Sequence, residues 1–401
     1  FVRCAWPGDV PNVLRAEPAD WPEVEYPEGY GEEAWSSSLV IDRLPKRGGH
    51  SVNIDGLRAI AVCGVVSHHF FAHANFRLPL LSETGGLLGV QLFFVISGYL
   101  IVQSASRLGL GSYFLRRVCR IFPAYWFATW LVAVGISNKS PFFLFTDGWQ
   151  GILHFLALSH LSPPALLRHD VLTVSWTLTV EWSWYLLVPI IVVCAKGFSE
   201  RRYWLAVVIF LTGFSTIWVL LAQNGYFDFL MMGGARAVGH DQVTDFLRFA
   251  FITNAFPAQF GFFSLGAGVW YFHSCVGRLS LWFLLGVIAA TVPFATQWNG
   301  ILGVNPSIVS GIGLAAVLIV AVRLPALPLR PIYWLGEISY PLYLLHVPAI
   351  VLAFNHFSLT GLMGASVAVS IMLLAAWLLH ILVERPGMAL GYWFSGRLSN
   401  I

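Results

Sequence analysis

The sequence predicts an all-α, polytopic integral membrane protein with about ten transmembrane helices and both termini cytoplasmic. Three observations carry this expectation. Of 401 residues, 57% are hydrophobic and 11% charged, and mean hydropathy is +0.71, far from the balance of a soluble globular domain. Apolar stretches of about 20 residues, the length that crosses a bilayer, recur along the chain. The basic residues between them alternate in density from one connection to the next.

The expected spans lie near 54–74, 86–106, 121–137, 173–195, 203–222, 249–272, 280–297, 306–322, 332–353 and 362–383. Arg43, Lys46 and Arg47 precede the first. Arg107, Arg116, Arg117 and Arg120 follow the second, Lys196, Arg201 and Arg202 the fourth, Arg278 the sixth, Arg323 and Arg330 the eighth, and Arg385 and Arg397 the tenth. About fifteen Lys and Arg thus lie on one side against about five on the other, which makes the richer side cytoplasmic. The longest outer connections, about 138–172 and 223–248, are rich in aromatic, Gly and polar residues and are candidates to cap a site, bind an acceptor or lie on lipid headgroups.

Residues 1–51 are a different material, with acids such as Asp9, Glu17 and Glu32 and helix-breaking Pro7, Pro11, Pro18, Pro22 and Pro27. They read as a disordered tail with no targeting role, since the basic-then-apolar plan of a signal peptide is missing. Residues 52–390 form the membrane domain and 391–401 a short cytoplasmic tail. Cys4, Cys63, Cys119, Cys194 and Cys275 are scattered without C-x-x-C spacing and read as small apolar residues rather than a disulfide framework or a zinc site. A net charge of +3 gives no reason to expect nucleic acid.

Polar groups inside the expected spans carry the functional argument. In "GLRAIAVCGVVSHHFF", residues 56–71, Arg58 and His69 are eleven positions apart. At about 100° per residue they return to within about 20° of one face, about 16 Å apart along the axis, while His68 points aside. One reading makes Arg58 a cytoplasmic anchor and His69 a packing residue; the other makes them part of a site. His73 lies one turn beyond His69, but no matching ligand spacing supports a metal, and none is expected.

Glu181 lies about eight residues into the fourth span, where a carboxylate is costly and calls for a partner. Thr177 precedes it by four residues on the same face; one reading has Glu181 meet His69 and orient it as a general base, the other makes Glu181 a structural ion-pair partner or a buried protonated acid. Arg117 and Arg120 are an i, i+3 pair of forked donors suited to phosphate, with Arg116 beside them; lipid-headgroup contact is the alternative. Ser97 and Gly98 allow close backbone approach in "GVQLFFVISGYLI", and Tyr343 and His346 are an i, i+3 pair in "LGEISYPLYLLHVPAI". For His346 a hydrogen-bonded core role is favoured over direct catalysis.

Taken in order, these stretches resemble the acyltransferase-3 family of bacterial integral-membrane O-acyltransferases acting on envelope carbohydrates. The resemblance covers about residues 52–390. It matches the family's Arg-X10-His motif at Arg58 and His69, its R-x-x-R motif at Arg117 and Arg120, and its S-x-x-x-E motif at Thr177 and Glu181. Residues 89–101, Ile338 to His346, and Glu384 to Pro386 are similar to three further segments. Gln91 stands where the family usually has Asp, Thr177 where it has Ser, and Trp182 where a second Glu is common.

The resemblance implies transfer of an acyl group, most often acetyl, from cytosolic acyl-CoA to a hydroxyl of a cell-surface or lipid-linked carbohydrate, in the inner (plasma) membrane. His69 would be the base, Glu181 its orienting partner and Thr177 the support of Glu181. Arg117, Arg120 and Arg116 would hold the CoA phosphates, and Arg58 would steady the pantetheine end or the thioester oxygen. The co-substrate is acyl-CoA, with no metal. The expected partners are membrane lipids, the carbohydrate or glycolipid acceptor and, because no hydrolase-like domain follows the tenth span, a separate extracytoplasmic acyl-accepting protein. The rival reading is an exporter that uses Arg58, His69 and Glu181 as a proton relay.

Overall fold

The computed structural model describes residues 52–74, 85–140, 142–143, 148–195, 200–253, 255–293, 306–325 and 329–398. The acidic segment 1–51 lies outside the described residues. Within them every regular element is helical and no strand occurs. The main helices are α1 (Val52–Ala74), α2 (Gly85–Arg107), α3 (Leu110–Gly135), α4 (Trp149–Phe155), α5 (Pro163–His169), α6 (Trp176–Ala195), α7 (Glu200–Gln223) and α8 (Asp228–Ala237). They continue with α9 (Phe256–Tyr271), α10 (Leu281–Thr291), α11 (Pro306–Arg323), α12 (Arg330–Glu337), α13 (Ser339–Val351), α14 (Gly361–Leu379) and α15 (Arg385–Leu398).

Each of the ten expected spans contains a helix, but fewer are long and apolar enough to cross a bilayer. Five qualify: Gly85–Arg107, Leu110–Gly135, Trp176–Ala195, Arg201–Gln223 and Gly361–Arg397. The pair Arg330–Glu337 and Ser339–His356, bent by 76°, makes a sixth if taken as one broken span. The others fall short for visible reasons. Helix α1 carries Asp55, Arg58 and three histidines, while α9 and α10 have 16 and 11 residues, below the length of about 20 that spans hydrocarbon.

Helix α2 is the centre of the bundle, 72% buried over its most apolar window, and it packs against α1, α6, α9 and α11. Two glycines set its approach to α9. A Cβ on Gly98 would overlap the Phe263 carbonyl, and one on Gly266 would overlap the Val95 carbonyl, so the two backbones touch where no other residue fits. Around that crossing Phe94 stacks on Phe263 at 4.7 Å and Trp184 of α6 on the same ring at 5.1 Å, with Trp184 wholly buried. The small-residue step at Gly98 thus converts directly into the depth at which Ser97 faces α6.

Candidate active site

A cavity of about 90 Å³ opens among α1, α2, α3, α6 and α13. At roughly 10–15 Å³ per water it holds about six to nine waters, room for a narrow chain rather than a broad ligand. Arg58 enters it from α1, Ser97 from α2, Arg117 and Arg120 from α3, and Thr177, Glu181 and Tyr185 from α6. Ser339, Tyr340 and Tyr343 enter from α13. Three guanidiniums therefore face one lining carboxylate, and the cavity favours an anion.

Glu181 is held through one oxygen. The Ser97 hydroxyl donates to its Oε1 at 3.1 Å, and the Tyr185 hydroxyl, one helical turn further along α6, donates to the same atom. Among the described residues Oε2 accepts no hydrogen bond. Tyr185 is itself fixed from α3, since the Tyr113 hydroxyl donates to its carbonyl at 3.1 Å. The Arg117 guanidinium donates to Ser104 Oγ at 2.9 Å and lies 5.9 Å over the Tyr185 ring, while Arg58 pairs with Asp55 at 3.1 Å. Arg120 interacts electrostatically with Glu181 and Glu384, and Glu384 is gripped by His380 at 2.6 Å. The Tyr340 hydroxyl donates to the Ile121 carbonyl at 2.9 Å, which ties α13 to α3 beside Arg120.

A second group of side chains gathers further along α1 and α13. The His69 ring lies 5.1 Å from the His346 ring and 5.1 Å from that of His68. His346 is wholly buried, and its Nδ1 lies 2.7 Å from the Tyr343 carbonyl. A carbonyl only accepts, so Nδ1 carries the proton and Nε2 presents a lone pair; that Nε2 is buried and without a hydrogen bond among the described residues. Among the described residues no group of three or more His, Cys, Asp or Glu is placed to hold a metal ion.

The structure separates some residues that the sequence analysis joined. Glu181 and His69 form no hydrogen bond: the carboxylate belongs to Ser97 and Tyr185, and the neighbours of the His69 ring are His68 and His346. The reason is axial. His69 lies about 16 Å beyond Arg58 on α1, past the cavity that Arg58 and Glu181 share. Nor does Thr177 support Glu181. Its hydroxyl lies 2.9 Å from that of Tyr343 and 3.1 Å from the Val174 carbonyl.

Arg116 points away from the cavity as well. Its Nε donates to Ser395 Oγ at 2.8 Å, and its guanidinium lies 4.8 Å over the Tyr392 ring, both on α15. Arg58, Arg117, Arg120, Glu181, Ser97, Thr177 and Tyr343 do line one cavity, while His346 stands beside His69 and Gly98 acts through the α2–α9 contact. Tyr185 and His380 were missed by sequence reasoning, which met Tyr340 and Glu384 only as members of segments similar to the family's and gave them no role. The spacing Glu181 to Tyr185, four residues on one helix face, is the signal that would have found Tyr185.

A family model described as an acyltransferase domain matches residues 51–381. The chain belongs to the acyltransferase-3 family. Among its relatives, a protein of Bacillus subtilis strain 168, provisionally named a peptidoglycan O-acetyltransferase, is 28% identical over 75% of this chain and 48% of its own length. The peptidoglycan O-acetyltransferase OatA of Listeria monocytogenes is 26% identical over 75% of this chain and 49% of its own length. A provisionally named O-acetyltransferase of Staphylococcus aureus strain COL is 30% identical over 37% of this chain and 26% of its own length. The chain thus spans about half the length, or less, of these curated relatives. No solved structure matches it.

The departures from the acyltransferase-3 pattern have local consequences. Gln91, where the family usually has Asp, is 2% exposed and accepts from the Ser310 hydroxyl at 3.4 Å, so an uncharged pair joins α2 to α11. Thr177 keeps the hydroxyl of the usual Ser and spends it on Tyr343. Trp182, in place of the second Glu, packs its ring against Phe122 and Tyr185 at 5.3 and 5.6 Å, backing the Tyr185 ring that lines the cavity.

Proposed function

We propose that the protein transfers an acyl group, acetyl in the first instance, from acyl-CoA to a hydroxyl of an envelope carbohydrate, with peptidoglycan the leading acceptor. The observation that carries this reading is the narrow cavity among the helices in which Arg58, Arg117 and Arg120 face Glu181 within an acyltransferase-3 domain. The acceptor rests on the names of the Bacillus and Listeria relatives. In the ten-span arrangement, with both termini on the arginine-rich side, the cavity mouth faces the cytosol and the donor enters from there.

Arg117 and Arg120 attract the phosphates of the donor, and the cavity admits the thin pantetheine arm. Arg58, which lies about 16 Å short of His69 on α1, holds the pantetheine end of the donor rather than the thioester itself. His69, with His346 at its side, takes the proton of the acceptor hydroxyl as that oxygen attacks the thioester carbon. The carbon–sulfur bond then breaks, and the proton passes to the CoA thiolate. Glu181, fixed by Ser97 and Tyr185, turns its Oε2 toward the reacting chain and the arginines rather than toward His69.

The test uses protein in nanodiscs with radiolabelled acetyl-CoA, scoring binding and slow thioester hydrolysis. Wild type binds and hydrolyses the donor, Arg117→Ala/Arg120→Ala loses binding, and His69→Ala binds without turnover. A folded wild type that neither binds nor consumes acetyl-CoA overturns the reading, and proton-coupled transport becomes the next hypothesis to measure.

A further inference from the structure

The helices that wall the arginine-lined cavity also wall a second one. Its volume is about 320 Å³, within the range of small-ligand sites, which begins at roughly 300 Å³. Helix α3 lends Ile121 to the first cavity and Val132 and Ile136 to the second, eleven or more residues on, a rise of at least about 16 Å. Helix α13 lends Tyr343 to the first and Val347 and Val351 to the second. The segment entering α6 lends Thr173 to the second and Thr177 to the first. The order runs from first to second along α3 and α13 and from second to first into α6, as for a helix of opposite direction, so the cavities lie in series; on α13 they are one helical turn apart.

The step between them is a single hydrogen-bonded group. The Thr177 and Tyr343 hydroxyls lie 2.9 Å from each other and 3.1 and 3.2 Å from the Val174 carbonyl. A rotation of the Tyr343 side chain breaks this group and the ring contacts with Phe93 and His346 at 6.2 and 5.8 Å. His346, whose Nε2 has no hydrogen bond among the described residues, falls between Tyr343 and Val347 in the chain, at the same level. The second cavity also has a built polar edge. Thr173 holds φ +62°, a costly conformation for a β-branched residue, and Asn138, next to the lining Ser137 and Lys139, holds φ +50°. Asp170 enforces the turn at Thr173, accepting from the backbone N–H groups of Leu172, Thr173 and Ser175 at 2.9–3.1 Å.

We infer that the second cavity receives the hydroxyl-bearing saccharide of the acceptor and that the acyl group crosses at the Tyr343–Thr177 group. Val347, Pro348 and Val351 suit the C–H faces of a sugar ring, while Ser137, Lys139 and Thr173 suit its hydroxyls. Donor and acceptor then enter from opposite ends of the same three helices and meet beside His69 and His346. This inference rests on the acyltransferase reading above.

The probe is soluble uncrosslinked peptidoglycan glycan strands, offered with radiolabelled acetyl-CoA to nanodisc protein. Val351→Trp fills the cavity and is expected to raise the KM for glycan by about tenfold or more, with donor binding and acceptor-free thioester hydrolysis unchanged. Ser137→Cys, in a chain whose native cysteines are replaced by alanine, is expected to react with a polar maleimide and to be protected by glycan but not by acetyl-CoA. A wild type that acetylates glycan with the same KM in Val351→Trp and no protection at Ser137→Cys overturns the acceptor site alone. A folded wild type inert toward acetyl-CoA overturns the donor reading and this inference with it. If Val351→Trp does not fold, protection at Ser137→Cys decides.

Discussion

Asp170 should make the fold more stable as the pH falls from 7 to 5, and Asp170→Asn should abolish that gain. Burial pushes its carboxyl up from 3.8 to about 6, against the pull of the backbone N–H groups that it accepts from. Because the folded state prefers the protonated form, the contribution is fully present below about pH 4 and is lost as pH rises through about 6. A shift of that size corresponds to about 3 kcal/mol at neutral pH, of which about 1 kcal/mol returns between pH 7 and pH 5. His160 works in the opposite sense. Buried between Phe251 and Trp176, with Nε2 2.6 Å from the Ala250 carbonyl, it is lowered from 6.5 to about 4. Its contribution is present above about pH 6.5 and is lost as pH falls toward 4, about 2 kcal/mol over the same interval. In the wild type the Asp170 gain offsets about half of the His160 loss. In Asp170→Asn the amide oxygen keeps the Leu172 and Thr173 bonds, the charge is gone, and the acid-side loss from His160 stands uncompensated. Apparent unfolding free energies in nanodiscs between pH 5 and 7 should therefore fall more steeply in the variant, by about 1 kcal/mol. Comparing the two chains removes every titrating group that they share. Parallel curves would refute the reasoning.

Four further outcomes are expected. Thr173→Gly relieves the positive φ, about 1–3 kcal/mol of strain less about 0.5–1 kcal/mol of glycine entropy; thermal unfolding should show a small net stabilisation. Gly98→Leu forces a side chain onto the Phe263 carbonyl, and fluorescence-detected size exclusion should show no folded, monodisperse protein. Ser97→Ala and Tyr185→Phe each remove one donor to Glu181, worth about 1.5–3 kcal/mol for a charged acceptor, and turnover should drop by about tenfold or more with donor affinity kept. Arg116→Ala should loosen α15 from α3 and lower the unfolding temperature while donor binding, measured directly, stays at the wild-type level.

Arg116 and Arg117 show what the sequence discloses and where it stops. They are adjacent, and composition treats them alike, yet one donates to Ser395 on α15 and the other to Ser104 at the cavity. Helical periodicity states that neighbours diverge by about 100°; it does not state which face meets which partner. The same distinction separates what was legible at the site. Spacing within one helix was readable, so Arg58 and His69 were placed on one helix from sequence, whereas Arg117 and Arg120, read as an i, i+3 pair in the basic connection before a span near 121, lie inside α3 (Leu110–Gly135). Whether His69 met Glu181 depended on the axial offset between α1 and α6, and the contacts of Gly98 with Phe263 and of Gly266 with Val95 that set the bundle's depths link residues 165 and 171 positions apart in the chain. The apolar stretches were legible because burial in hydrocarbon demands them, whereas the number that span was not. A helix such as α1 can trade apolar length for Asp55, Arg58 and three histidines once neighbouring helices shield its polar face. So a helix that falls short of the spanning criterion still brings Arg58 to the cavity and His69 to the histidine group.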